Sequence, residues 1–111
     1  MKEVYNMWTA TEARIMTERA IAKLDDYYFK EFCAEAEKAI AYAVEHGRYR
    51  TTFQVSICSD HAYADKQYEG LTRLKGVLTQ QYGYKVEMDE TFHCGISDIY
   101  VRVSWAPAYM E

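Results

Sequence analysis

The sequence contains almost no proline, no long apolar run and no excess of basic residues, and each shortage excludes a class of protein. Pro107 is the only proline, so little in the chain interrupts helices or strands. No apolar stretch approaches the ~20 residues that cross a membrane, and we expect no membrane partner. The net charge of −4, from 13 basic and 17 acidic side chains, argues against general nucleic-acid binding, which depends on excess Lys and Arg.

The sequence also lacks the pattern of a disulfide framework. Cys33, Cys58 and Cys94 lack the even number and the spacing of a disulfide framework, so we expect reduced thiols, as in the cytoplasm. Residues 1–8 lack the basic, apolar and small-residue succession of a signal peptide, which agrees with a cytoplasmic location. At 111 residues, half of them hydrophobic, the chain predicts a single globular domain, residues 1–111.

The N-terminal third is predicted to be helical. Thr9 and Glu12 have the spacing of a capping box, in which each side chain satisfies a backbone amide at the start of the helix. Apolar residues then recur every three or four positions as far as Gly47, which can end the helix in a left-handed conformation.

Such a helix is too long for the domain. About 37 continuous residues would span ~55 Å, more than the diameter of a domain of this size. We therefore expect either a break near Asp25-Asp26 or a helical arm, within residues 1–35, that projects from the domain. In the second case Trp8, Ile15 and Met16 would contact a partner or a second copy of the chain.

The remaining two thirds predict strands separated by one helix. Apolar and polar residues alternate over 51–58, 84–89 and 99–105, as in half-buried strands, and 63–82 has helical periodicity. Residues 90–97 are expected to form a hairpin connection. The chain thus predicts a two-layer α+β fold of order α-β-α-β-β, with a long N-terminal helix and a second helix packed on one face of a small three-stranded mixed sheet. The last strand is expected either at the edge or between the other two.

The alternation also assigns two faces to the sheet. The face expected beneath the helices is apolar and consists of Phe53, Val55, Ile57, Tyr84, Val86, Met88, Ile99, Val101, Val103 and Trp105. The opposite face is expected to be bare and to display Thr52, Gln54, Ser56, Lys85, Glu87, Tyr100 and Arg102. Eleven tyrosines, far above ordinary usage, favour an interface or a ligand pocket, because tyrosine combines a large ring with a polar tip.

One rim of this sheet is a candidate binding site. If the first two strands are parallel, their C-terminal ends meet there, and the turn before the second helix offers free amides to an anion. A nucleotide is one possible ligand, whereas acidic residues capping the helix themselves are the structural alternative. The candidate ligand-binding residues are Ser59, Asp60, His61, Tyr63, His93, Tyr100 and Arg102.

The same rim allows two other interpretations. Cys58, His61, His93 and Cys94 have the composition of a zinc site, although adjacent His93 and Cys94 would point apart in extended backbone. The second interpretation is a Cys–His pair that acts as a nucleophile and is oriented by Asp60 or Asp98. Neither has a supporting local motif, so we assign no catalytic residue, metal ligand or cofactor and expect a protein that is not an enzyme.

A small basic–aromatic cluster precedes the first strand. Tyr49 lies between Arg48 and Arg50 in the sequence. Clusters of this kind are more often a solvated edge than a nucleic-acid site, and we assign it no function from sequence.

Three segments resemble a loosely defined set of small phage-encoded α+β accessory proteins. Residues 39–47 end a helix before a strand, residues 78–86 carry a helix end into a "GY-K-V" strand, and residues 99–105 form a final "I-x-V-S-W" strand. The resemblance covers roughly residues 36–105 and consists of cap and core positions. It implies a phage accessory protein in the host cytoplasm, a class that includes inhibitors of host defence and minor virion components.

These observations lead to three functional hypotheses. The first is a non-enzymatic anti-defence inhibitor that binds a host immune protein, as anti-CRISPR proteins do, or that sequesters a nucleotide signal. The second is a phage structural or assembly protein that forms a homo-oligomer. The third is a small zinc-binding protein or enzyme.

Overall fold

The fold is described by a computed structural model that covers residues 7–58 and 63–110. Two helices pack on one face of a three-stranded sheet, which confirms the predicted two-layer α+β class. No helix in these two ranges is long and apolar enough to cross a membrane. In chain order the elements are α1 (Ala10–Ala22), α2 (Tyr27–Glu45), β1 (Arg50–Cys58), α3 (Ala64–Gly76), a π-helical turn (Val77–Gln81), β2 (Lys85–His93), β3 (Ile96–Ser104) and a 3₁₀ turn (Ala108–Met110).

The sheet has the order β1-β3-β2, and both pairings are antiparallel. The prediction of a mixed sheet is therefore wrong, although β1 and β2 do run in the same direction. The reason is that β3 inserts between them, which is one of the two positions expected for the last strand. A sheet in which both outer strands pair only with a central reversed strand contains no parallel pair.

The hairpin between β2 and β3 is tighter than expected. Cys94 and Gly95 alone form its turn, with φ angles of 51° and 76°. Positive φ at both central residues is the signature of a type I′ turn, whose twist matches that of paired strands. Most of the 90–97 connection is consequently strand, and His93 is the last residue of β2 rather than part of a loop.

The first predicted helix is broken near Asp25-Asp26, which is one of the two alternatives expected from sequence. Residues 23–26 form turns between α1 and α2, and the acidic side chains there bond to α3. Asp25 accepts a hydrogen bond from Lys66, and Asp26 accepts one from Arg73, each at 2.5 Å. At the far end of α2, Gly47 has a φ of 69° and ends the helix in the left-handed conformation, as predicted.

The helix α1 projects from the domain. None of its residues is buried, and the molecule measures 81 × 30 × 22 Å along its principal axes. Its radius of gyration is 19.4 Å, whereas a compact domain of this length has about 13 Å. Residues 7–22 are called the arm below.

The core lies between α2, α3 and the inner face of the sheet. The inward residues expected on all three strands are buried or half-buried, and the residues expected on the opposite face are all exposed, so both assignments are confirmed. The expected stripe of the second helix holds as far as Leu78, but Tyr82 is 68% exposed. The π-helical turn widens the last turn of the helix, which shifts the face that residue 82 occupies.

Candidate functional site

The bare face of the sheet is organised in rows that cross all three strands. At the hairpin end, Cys58 and His93 both pair with Ile96 and lie on either side of it. The C-terminal ends of β1 and β2 therefore reach the same rim, as their common direction requires. Cys58, His93 and Cys94 are all exposed there.

Only part of the predicted rim site can be placed. Ser59, Asp60 and His61 lie outside the described residues, whereas Tyr63 is half-buried just before α3. The Cα atoms of Cys58 and His93 are separated by the width of β3, about 10 Å. Within residues 7–58 and 63–110, no group of three or more His, Cys, Asp or Glu side chains is arranged to hold a metal ion.

Arg102 is engaged in ion pairs across the bare face. Its guanidinium contacts Glu87 at 3.0 Å and Asp89 at 2.5 Å, both on β2. The hydrogen bond to Glu87 and the charge of Asp89 raise the pKa of Arg102 above its ordinary value. The two carboxylates offset the positive charge, so this side chain offers no unpaired cation to a phosphate.

The structure does not gather the remaining candidates into one site. Tyr100 lies in the row next to Arg102, paired with Gln54 on one side and Asp89 on the other. Arg102 is six residues along β3 from Ile96, which corresponds to about 20 Å. Tyr100 and Arg102 thus belong to the middle of the bare face, and His93 to its rim.

The candidate interface residues all lie on the arm and are exposed. Trp8, Ile15 and Met16 are 62%, 43% and 40% exposed. Thr9 caps α1, since its hydroxyl oxygen accepts a hydrogen bond from the amide of Glu12 at 3.2 Å. The capped helix therefore presents apolar side chains to solvent rather than to the core of its own chain.

Two grooves flank α2, and sequence reasoning located neither. A groove of about 680 Å³ between α2 and α3 contains Cys33, whose pKa is raised by burial and by the nearby charge of Glu37. A larger groove, about 1360 Å³, lies between α2 and the first half of β1. Its lining includes Arg48 and Arg50, so the basic–aromatic cluster was the available sequence signal.

Comparison of the chain with protein-family models, curated proteins and solved structures finds no match.

Proposed function

We propose that the protein is a non-enzymatic accessory protein of the phage type, which inhibits a host defence protein in the host cytoplasm by binding to it. The observation that carries this proposal is the arm, a capped helix with no buried residue. Exposed large apolar side chains on a helix are typical of surfaces that dock into a groove on another protein. The resemblance to phage accessory proteins supplies the context.

The charge of the molecule supports a target that normally binds nucleic acid. The net charge is −4, and α2 carries four exposed carboxylates beyond the arm, on Glu31, Glu35, Glu37 and Glu45. Carboxylates can occupy positions that phosphates would take on a basic surface, and they steer association with it. In this proposal the arm provides apolar contact and α2 provides charge complementarity.

A plaquing experiment tests the proposal. The protein is expressed in bacteria that carry a defined CRISPR–Cas system, and the plaquing efficiency of a targeted phage is measured. We expect the wild type to restore plaquing and the Trp8→Gln/Ile15→Gln/Met16→Gln variant to lose this effect, because glutamine keeps helix propensity and removes apolar contact. Failure of the wild type to restore plaquing, or full activity of the variant, would contradict the proposal.

A matched control keeps the result interpretable. Arg14→Gln/Glu18→Gln changes two exposed residues of the same helix without changing net charge, and it should retain activity. His93→Ala tests the nucleotide-sequestering form of the hypothesis, which depends on the rim. If His93→Ala loses activity while the Trp8→Gln/Ile15→Gln/Met16→Gln variant keeps it, the result would favour nucleotide binding over protein binding.

A structural or assembly role is the second candidate, and the 81 Å length of the molecule favours it. An exposed apolar helix can pack against the same helix of a second copy, which would form a homo-oligomer through the arm. Sedimentation velocity distinguishes the two roles. The assembly role is supported if the wild type forms an oligomer and has no effect on plaquing. The Trp8→Gln/Ile15→Gln/Met16→Gln variant should then be monomeric.

A further inference from the structure

The outer edge of β1 has unpaired backbone groups. Among the described residues β1 pairs with β3 alone, and the amide of Trp105 donates to the carbonyl oxygen of Tyr49 at 2.9 Å. In an antiparallel pair, hydrogen-bonded residues alternate with residues whose backbone groups face away. The register therefore directs the N–H and C=O groups of the even-numbered residues toward the free edge, at Arg50, Thr52, Gln54, Ser56 and Cys58.

The two edges of the sheet differ in charge. On β2, Lys85, Glu87, Asp89 and Glu90 are charged and exposed, which discourages pairing with another strand. On β1, residues 51–58 contain no charged side chain. The β1 edge is therefore open to strand addition, whereas the β2 edge is protected against it.

The groove beside this edge is basic in an acidic protein. Lys38, Arg48, Arg50 and Lys85 line it together with a single carboxylate, that of Glu35. Within the described ranges none of these four cations forms an ion pair. Lys38 comes from α2, Lys85 from β2, and Arg48 and Arg50 lie just before and at the start of β1, so these unpaired cations surround the groove beside the first half of β1. Their charge is complementary to an anionic ligand.

We propose that the edge of β1 binds an extended acidic segment of another protein by adding it to the sheet as a fourth strand. Main-chain hydrogen bonds to the even-numbered residues would provide affinity, as in other complexes formed by strand addition. Alternate side chains of the segment would face Ala39 and Tyr42 of α2 on one side and Arg50 on the other. This site is separate from the arm and does not depend on it.

The charges favour such a segment over a second copy of β1. Residues 48–58 contain two arginines and no acidic residue, so two β1 strands that pair with each other bring no carboxylate to the four cations. An acidic strand brings carboxylates to these cations and also forms hydrogen bonds with the free backbone groups of β1. Self-pairing through β1 is accordingly an outcome that would overturn the proposal.

The test uses a defined probe, a fluorescent nine-residue peptide of alternating glutamate and valine with blocked ends. Fluorescence anisotropy measures its Kd for the full chain at low and high salt, with the lysine–valine peptide as the charge control. We expect the acidic peptide to bind roughly tenfold or more tightly than the basic one, with affinity falling as salt rises. Methylation of its alternate amides should weaken binding by a similar factor, because the bonds to β1 are lost.

Variants and amide exchange locate the site. Arg50→Glu should weaken binding by about tenfold, whereas Lys75→Glu, the same charge change on an exposed residue of α3, should not. The amides of Thr52, Gln54 and Ser56 should gain protection from hydrogen exchange when the peptide binds. No binding of the acidic peptide, equal affinity for both peptides, indifference to methylation, protection elsewhere than β1, or a dimer paired through β1 would each overturn the proposal.

Discussion

Asp26 and Arg73 are in direct contact and join the turn between α1 and α2 to the last turn of α3. The guanidinium nitrogen Nη1 of Arg73 donates to the carboxylate of Asp26 at 2.5 Å. The same guanidinium lies over the ring of Phe29, with its carbon 4.0 Å from the ring centroid. This contact and the one between Asp25 and Lys66 hold the turn between α1 and α2 against α3.

Replacing the carboxylate of Asp26 should make the melting temperature fall less as the pH is lowered. The hydrogen bond from Arg73, followed by its charge, lowers the pKa of Asp26 below the ordinary 3.8. The contribution of the carboxylate to folding is therefore present above 3.8 and is lost as the pH falls through the lower folded value. We expect Asp26→Asn to melt at a lower temperature than the wild type at pH 5 to 7, and the difference to vanish well below pH 3.8.

Thermal unfolding followed by circular dichroism at several pH values measures this difference. Glu18→Gln, which removes an exposed carboxylate of α1 outside the contact, is the control and should not show the same pattern. A difference between Asp26→Asn and the wild type that is unchanged at pH 2 would contradict the assignment.

Two glycines of α3 should respond oppositely to replacement by alanine. A Cβ atom at Gly70 would lie 3.0 Å from the backbone nitrogen of Phe29, whereas one at Gly76 would meet nothing within 4 Å. Gly70→Ala should destabilise the protein by roughly 1–2 kcal/mol through overpacking of α3 against α2. Gly76→Ala should stabilise it by about 0.5–1 kcal/mol, because alanine costs less chain entropy in a helix. Urea unfolding of both variants checks the signs, and equal effects would contradict this packing.

Trp105 should contribute less to stability than a fully buried tryptophan. It is half-buried and packs edge-on against Tyr84, with ring centroids 5.7 Å apart and an interplanar angle of 75°. We expect Trp105→Ala to lower the free energy of unfolding by about 2–3 kcal/mol, below the 3–5 kcal/mol typical of a large buried aromatic residue. Tyr109→Ala, at a side chain 84% exposed, is the control and should change it by less than about 0.5 kcal/mol. A loss below 1 kcal/mol for Trp105→Ala would contradict its packing role.

The strand faces could be predicted from sequence because alternation reports burial directly. In β1, for example, Phe53, Val55 and Ile57 are buried and the residues between them are exposed. The excess length of a continuous N-terminal helix predicted either a break near Asp25-Asp26 or a projecting arm, and the length alone could not choose between them. The structure has both. The sheet order could not be chosen, because β3 forms a hairpin with β2 in either of its two positions.

The details that shape the candidate site come from pairing between distant segments. Arg102 carries no sequence sign that it is ion-paired, since Glu87 and Asp89 become its neighbours only through the register of β2 on β3. The two-residue turn between β2 and β3 could not be predicted from sequence either, because a type I′ turn usually has Asn or Gly where this chain has Cys94. The π-helical turn could not be predicted, because the spacing of apolar residues that placed Leu78 in the core does not indicate where a helix widens.

The three cysteines should differ in reactivity. Burial, and after it the charge of Glu37, raises the pKa of Cys33, so less of its thiol is ionised near neutral pH. Cys58 and Cys94 are exposed. We expect iodoacetamide at pH 8 to modify Cys58 and Cys94 before Cys33, as measured by peptide mass spectrometry of timed samples. Urea-unfolded protein is the control, in which Cys33 should react as fast as the others, and rapid early labelling of Cys33 in the native protein would contradict the expected order.

The functional proposal depends most on the exposure of the arm, whose helix α1 has no buried residue. A helix of 13 residues without buried side chains is marginally stable in water, whereas α2 is held by the core. Hydrogen exchange of the isolated protein, followed residue by residue by NMR at a concentration where it sediments as a monomer, tests this claim directly. We expect fast exchange for the amides of residues 13–22 and strong protection for those of residues 32–43. Equal protection of the two helices in the monomer would contradict it, because α1 would then be packed against its own chain.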